Sequence, residues 1–311
     1  MTQKQTYRLV TRSDFDGLVS AMLLRDLGMI DDILFVQPKD MQDGLIPITG
    51  RDIITNLPYV QGAHLVIDHH ASEVKRNAPM PDNYVNRPEA PSAAHVVYHH
   101  FGARAAFPDF PEDLLQAVDK ADSGRFEEDD ILYPKGWMLL NFLMDPRTGL
   151  GRFKEFRISN YNLMMELITY CRRHPAEEVL QLPDVKERVD FYFEQEELFK
   201  TQIQTRTKIH NNLAVIDLRY DDIIYPGNRF MIYALYPQCN ISMHILWGLD
   251  RKTTVFALGK SIFNRTSNTN IGMLCLEFGG GGHAAAGTCQ VETTRSVAVR
   301  KTLESRILAD G

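Results

Sequence analysis

The chain has 311 residues, of which 44% are hydrophobic and 24% charged, and its formal net charge is −6. That length suits about two domains and that balance an ordinary globular protein, which excludes a disordered chain, a collagen-like fibre and a small disulfide-dependent scaffold. The acidic balance also argues against binding long duplex nucleic acid by counterion release, while leaving room for a local basic pocket that takes a short charged substrate.

In chain order, residues 7–10 read as a short buried strand. Leu18, Val19, Met22, Leu23 and Leu27 then recur at helical spacing, with Gly28 as the stop. Further apolar strands are expected at 33–36, 52–55 and 65–67. Short apolar strands alternating with helices or loops predict a mostly parallel, covered sheet, whose ligands gather at the carboxyl ends of the strands. Ser92 is a suitable N-cap for a helix over 93–101 that Gly102 ends, and 112–122 reads as another amphipathic helix. From about 151 to 211 the pattern is helical and increasingly charged. Beyond 210 the period changes, and strands are expected at 213–218, 230–235, 241–247 and 253–258. The fold class is therefore α/β, with a smaller C-terminal α+β domain. The expected division is 1–190, a connecting helix or hinge at 191–210, and 211–311.

Cys171, Cys239, Cys275 and Cys289 show no Cys-x-x-Cys spacing, so neither a disulfide framework nor a zinc site is suggested. The polar start, 1–7, lacks the apolar core of a signal peptide, and no apolar run reaches a bilayer span. A cytoplasmic protein without a membrane partner is expected.

Three clusters carry chemistry. Ser13-Asp14-Phe15-Asp16-Gly17 leaves a strand end; its two carboxylates face one site and suit Mn²⁺ or Mg²⁺, or else the segment is a turn and N-cap. Asp68-His69-His70 follows the strand at 65–67; one His can ligate a metal, the other can face a substrate anion, and the Asp can fix a tautomer. Phe278-Gly279-Gly280-Gly281-Gly282-His283 leads into an Ala-rich segment expected to be helical. Its glycines either let the backbone approach an anion or form a flexible loop. It is neither a P-loop nor a dinucleotide fingerprint.

In this order the three clusters resemble the DHH phosphoesterase superfamily, over both domains from Leu9 to Thr288. The two-domain members include single-strand exonucleases, nano-RNases, cyclic-dinucleotide phosphodiesterases and exopolyphosphatase-related proteins. The resemblance implies Mn²⁺, with Mg²⁺ as the alternative, as one or two ions at the strand ends of the first domain. Asp14 and Asp16 match the paired acids and His69 the ligand His. His70 contacts the scissile phosphate, and Asp68 supports it. A later ligand is Asp122, with Asp119, one helical turn earlier, as the fallback. Gly280, Gly281, Gly282 and His283 would bind a distal phosphate or nucleotide, with Arg265 as a phosphate clamp. Closure about the hinge would assemble the site.

Two positions depart from the family pattern. Arg12 stands where a ligand His is usual, and Asn56 where a bridging Asp is usual. Arginine cannot ligate a metal, and a neutral Asn bridges two cations poorly. One metal position is therefore expected to be empty or weak, with the Arg12 guanidinium supplying charge in its place. The implied activity is metal-dependent hydrolysis of short oligonucleotides, nucleotide phosphates or polyphosphate. The alternative is a weak or inactive nucleotide-binding module. Partners are a small phosphorylated substrate or short single strand, and a homodimer is open. His99-His100 lacks the spacing of a ligand pair with an acid and reads as surface. The acidic run 127–130 reads as a solvated loop.

Overall fold

Five short strands form the first sheet: β1 (Tyr7–Arg12), β2 (Ile30–Val36), β3 (Asp52–Thr55), β4 (Leu65–Asp68) and β5 (Tyr84–Asn86). All pair in parallel, in the order β2-β1-β3-β4-β5. Leu9, Val10, Ile53, Ile54, Val66 and Ile67 are fully buried, so sheet residues of both pleat directions are covered. This is why the strands read as continuous apolar runs rather than as alternating ones. The computed structural model describes residues 5–77, 79–152 and 156–311.

The helices, in chain order, are α1 (Phe15–Asp26), α2 (Pro38–Gln42), α3 (Ala71–Arg76), α4 (Ala93–His100), α5 (Glu112–Asp122), α6 (Glu128–Leu132), α7 (Gly136–Met144), α8 (Asn160–Tyr170), α9 (Ala176–Val179) and α10 (Pro183–Arg206). After α10 come β6 (Thr207–His210), β7 (Leu213–Asp217), α11 (Met231–Leu235), β8 (Ile241–Trp247), β9 (Thr253–Lys260), α12 (Ile271–Leu276), β10 (Gly281–His283), β11 (Ala286–Glu292) and α13 (Ser296–Asp310). The chain divides into two units: Met1–Arg125 with Pro134–Phe191, and Phe126–Tyr133 with Tyr192–Gly311. The short segment carrying α6 thus folds with the C-terminal unit, where Phe126 packs on Phe230 with ring centroids 5.0 Å apart.

In the first unit β2 and β3 lie on opposite sides of β1. The carboxyl ends of β1 and β3 therefore flank a topological switch point, the usual ligand position in open parallel sheets. Two buried threonines fix the register there. Thr11 Oγ1 donates to the Thr55 carbonyl at 3.1 Å, and Thr55 Oγ1 donates to Thr11 Oγ1 at 2.8 Å. The residues that follow them, Arg12 and Asn56, leave the sheet side by side. The second unit holds a six-stranded sheet ordered β10-β11-β9-β8-β7-β6, antiparallel except for β7 with β8. Ile271, Leu303 and Ile307 of α12 and α13 share its core with Val215, Met243 and Phe256.

Three expectations are corrected. Residues 230–235 form helix α11 instead of a strand. The apolar run is short and buried throughout, which suits either element. Asn228 decides it by accepting from the Phe230 and Met231 amides, at 3.0 and 2.9 Å, to start a turn. The Ala-rich segment after His283 is a β-hairpin, not a helix, with His283 opposite Ala286 and Gly281 opposite Thr288. The acidic run 127–130 opens helix α6 through a capping box between Glu127 and Asp130, with the Glu127 amide donating to Asp130 at 2.7 Å.

Candidate metal centre

The loop between β1 and α1 aims two carboxylates differently. Asp14 is the N-cap of α1 and accepts from the Gly17 amide at 2.9 Å. Gly17 is required because a Cβ there would lie 1.9 Å from the Arg12 carbonyl oxygen. Arg12 Nε stands 3.1 Å from Asp14 Oδ2, and Asn56 Nδ2 donates to Asp14 Oδ1 at 3.2 Å. Asn56 has φ +55°, a left-handed conformation that asparagine tolerates better than most residues. Burial raises the pKa of Asp14, and Arg12 and the Gly17 amide only partly offset it.

Asp16, in the first turn of α1, points instead at the start of α4. Its two oxygens accept from the Ala93 and Ala94 amides at 2.9 and 2.7 Å. The N-terminus of a helix favours negative charge. From the end of β4, His69 turns its Nδ1 to the Ala90 carbonyl at 3.2 Å. Its Nε2 then lies 2.9 Å from Asp122 Oδ2 and 3.9 Å from Asp16 Oδ2. Among the described residues, Asp16, His69 and Asp122 are the one group of three whose donor atoms all lie within 4.8 Å of each other. Burial and the nearby Asp122 charge raise the Asp16 pKa well above its ordinary value. Burial opposes charge on His69, but Asp122 and Asp16 outweigh it and push its pKa up to about 10. The carboxylates around His69 thus favour positive charge at this cluster.

This donor set, carboxylate oxygens with one imidazole, fits Mn²⁺ or Mg²⁺. The Ala90 carbonyl fixes the His69 tautomer that leaves Nε2 to ligate, as partners of ligand histidines commonly do. Asp119 is engaged elsewhere, accepting from Ser92 Oγ at 2.6 Å and pairing with His95 Nδ1 at 2.8 Å.

Asp68 is wholly buried and holds His70, whose Nδ1 is 2.7 Å from Asp68 Oδ1. Burial would raise the Asp68 pKa, but the charge and hydrogen bond of His70 outweigh it and hold the carboxyl below its usual range. Tyr84 donates to Asp68 Oδ2 at 3.2 Å, and Asn86 Nδ2 donates to Tyr84 Oη at 2.8 Å and to the His70 carbonyl at 3.1 Å.

Sequence reasoning missed Tyr84, Asn86 and Arg147. The first two share the inward face of a three-residue strand, too short for its alternation to stand out. Arg147 follows the turn signal Asp145-Pro146 and donates from Nε to Asp145 at 2.7 Å. Desolvation disfavours its charge, but Asp145, Asp14 and Asp122 together outweigh that effect and raise its pKa.

The remaining expected site residues lie in the C-terminal unit. Arg265 is exposed, with Nε donating to the Ile262 carbonyl at 3.0 Å. Gly281, Gly282 and His283 form the half-buried strand β10. A Cβ on Gly280 would lie 2.1 Å from the Thr288 carbonyl oxygen, and one on Gly282 2.2 Å from that of Ala286. Close packing of the hairpin is sufficient reason for those two glycines.

A solved structure of a pGpG-specific phosphodiesterase, PggH from Vibrio cholerae, is 57% identical to this chain, covers 98% of it and 100% of its own length, and overlays with a TM-score of 0.78. RecJ from Thermus thermophilus in complex with Mn²⁺ is 15% identical, covering 98% of this chain and 53% of its own, with a TM-score of 0.46. A putative family II inorganic pyrophosphatase from Methanococcus jannaschii is 13% identical, covering 97% of this chain and 99% of its own, with a TM-score of 0.28. No protein-family profile and no curated protein matches the chain.

Proposed function

The chain belongs to the DHH phosphoesterase superfamily and is a hydrolase of phosphoester bonds, and from that premise we propose that it cleaves short linear dinucleotides of the pGpG type, using one divalent cation held by Asp16, His69 and Asp122. The observation that carries this reading is the 57% identity to the pGpG phosphodiesterase over 98% of the chain. The cluster around His69 supplies the chemical means. When bound, Mn²⁺ or Mg²⁺ supplies Lewis acidity toward a phosphoryl oxygen and lowers the pKa of a water.

The chain's own residues supply the rest. Asp68 holds the His70 Nδ1 proton, so that Nε2 serves the substrate phosphate. Arg12 is a fixed cation beside Asp14 and binds a phosphoryl oxygen as negative charge accumulates. Asp14, enclosed by Arg12, Asn56 and the Gly17 amide, positions that guanidinium and does not ligate the ion. In the C-terminal unit, Arg265 and His283, with the Gly280–Gly282 segment, bind the far phosphate or base. The acidic net charge suits a short substrate over a long duplex. Among the described residues no helix is long and apolar enough to cross a membrane.

The test is a panel of pGpG, pApA, phosphoadenosine phosphate and polyphosphate, with bound metal counted on the same preparation. Expected is Mn²⁺-dependent conversion of one pGpG and one water into two GMP, with one ion per chain. Absence of turnover on the whole panel with metal bound, or two tightly held ions, would overturn the reading.

A further inference from the structure

On α4 lies a second cluster of imidazole and carboxylate side chains that the phosphoesterase chemistry does not use. We propose that His95 and His99 form a separate site for a transition ion of the Zn²⁺, Ni²⁺ or Cu²⁺ kind. The two histidines stand four residues apart on the eight-residue helix α4, so they share one face a turn apart. Their rings are already together, with centroids 4.4 Å apart and planes inclined by 38°. The adjacent pair His99-His100 lacks the spacing of a ligand pair with an acid, and neighbours on a helix diverge. The productive spacing is from His95 to His99.

A third residue organises the pair. Asp119, from α5, stands 2.8 Å from His95 Nδ1. A carboxylate on one ring nitrogen fixes the tautomer and leaves the other nitrogen, Nε2, as the basic ligand atom; carboxylate–histidine–metal arrangements are built this way. Asp119 is itself fixed, because its second oxygen accepts from Ser92 Oγ at 2.6 Å. The His95 side chain is about a third exposed and His99 is exposed, so an ion reaches both from solvent and water completes its shell. Burial and the neighbouring His95 lower the His99 pKa despite Asp119, which leaves its ring neutral and able to ligate.

The donor chemistry separates this site from the catalytic one. Two imidazoles select the later first-row ions, whereas the carboxylate-rich cluster at Asp16 and Asp122 suits Mn²⁺ or Mg²⁺. The two sites are also connected through bonded partners. Ser92 caps α4 by accepting from the His95 amide at 2.9 Å, and the first amides of the same helix hold Asp16.

The experiment is equilibrium dialysis of the full chain, without a histidine tag, against Ni²⁺ or Zn²⁺ with Mn²⁺ in excess to fill the catalytic cluster. One additional ion per chain is expected. His99→Ala should weaken it at least about tenfold, and Asp119→Asn by about 10- to 100-fold, the usual cost of removing an outer-shell partner. His100→Ala should leave it unchanged, and Asp16→Asn should retain it. The proposal is overturned if no additional ion binds, if His99→Ala binds as the parent does, or if His100→Ala loses as much as His99→Ala, which would mean diffuse binding to surface histidines. Circular dichroism of each variant separates lost ligation from lost folding.

Discussion

Asp14 and Asp16 leave the same strand, two residues apart, and meet opposite surroundings. Asp14 is enclosed by Arg12, Asn56 and the Gly17 amide, so its charge is partly balanced from within the chain. Asp16 receives two backbone amides, faces Asp122 and His69, and lacks a comparable fixed cation. On the proposed reading, a guanidinium stands on one side of the cluster where the other side takes a metal ion, and that fixed charge does part of an ion's work.

The comparison fails most visibly if the Asp16 side does not need its ion. Asp16→Asn or His69→Ala should remove metal and lower kcat/KM by roughly a thousandfold or more, since an ion supplies several kcal/mol of charge stabilisation. Metal content by mass spectrometry and turnover of pGpG check this together. Full activity with metal absent would end the argument for a catalytic cation.

The Asp14 side should respond less strongly and in a different manner. Arg12→Ala removes a charged hydrogen bond of about 1.5–3 kcal/mol, so kcat/KM should fall about 10- to 100-fold with metal content unchanged. The double variant Arg12→His with Asn56→Asp restores ligand chemistry at both departing positions and should raise bound Mn²⁺ from one to two per chain. An unchanged ion count in a folded double variant would show that something other than these two side chains closes the position.

Much of this contrast was legible in the sequence because its parts are local. The strands 52–55 and 241–247 and the helix 112–122 were expected with the bounds they have. Short apolar runs next to polar clusters mark strand ends regardless of tertiary context. The family resemblance that the motif order carries also implied Asp14, Asp16, His69 and Asp122, with Arg12 and Asn56 as the departures. What stayed hidden depends on partners distant in the chain. Nothing in Tyr84 or Asn86 announces that they brace Asp68 and His70, and Arg147 is coupled to Asp14 across more than a hundred residues. The glycine run has a structural role that its local sequence did not show. Four glycines before a histidine suggest a cradle, whereas Gly280 and Gly282 are already demanded by carbonyls on the facing strand. The short apolar run of α11 carried no period that could tell a helix from a strand.

The finest contrast concerns how Asp16 is held. Its two hydrogen bonds come from backbone amides of α4, which persist as long as the helix does. Ser92, the cap of that helix, contributes a side chain, and removing it deletes one hydrogen bond to the His95 amide and one to Asp119. Ser92→Ala should therefore cost about 1 kcal/mol of stability, the ordinary price of a lost N-cap, seen as a lower urea midpoint. Activity should change by less than about fivefold, because 1 kcal/mol corresponds to about that factor and Asp16 keeps both amides. A loss approaching that of Asp16→Asn in a chain that remains folded would show that the cap sets the carboxylate's position. The two aspartates would then differ in what orients them as well as in what neutralises them.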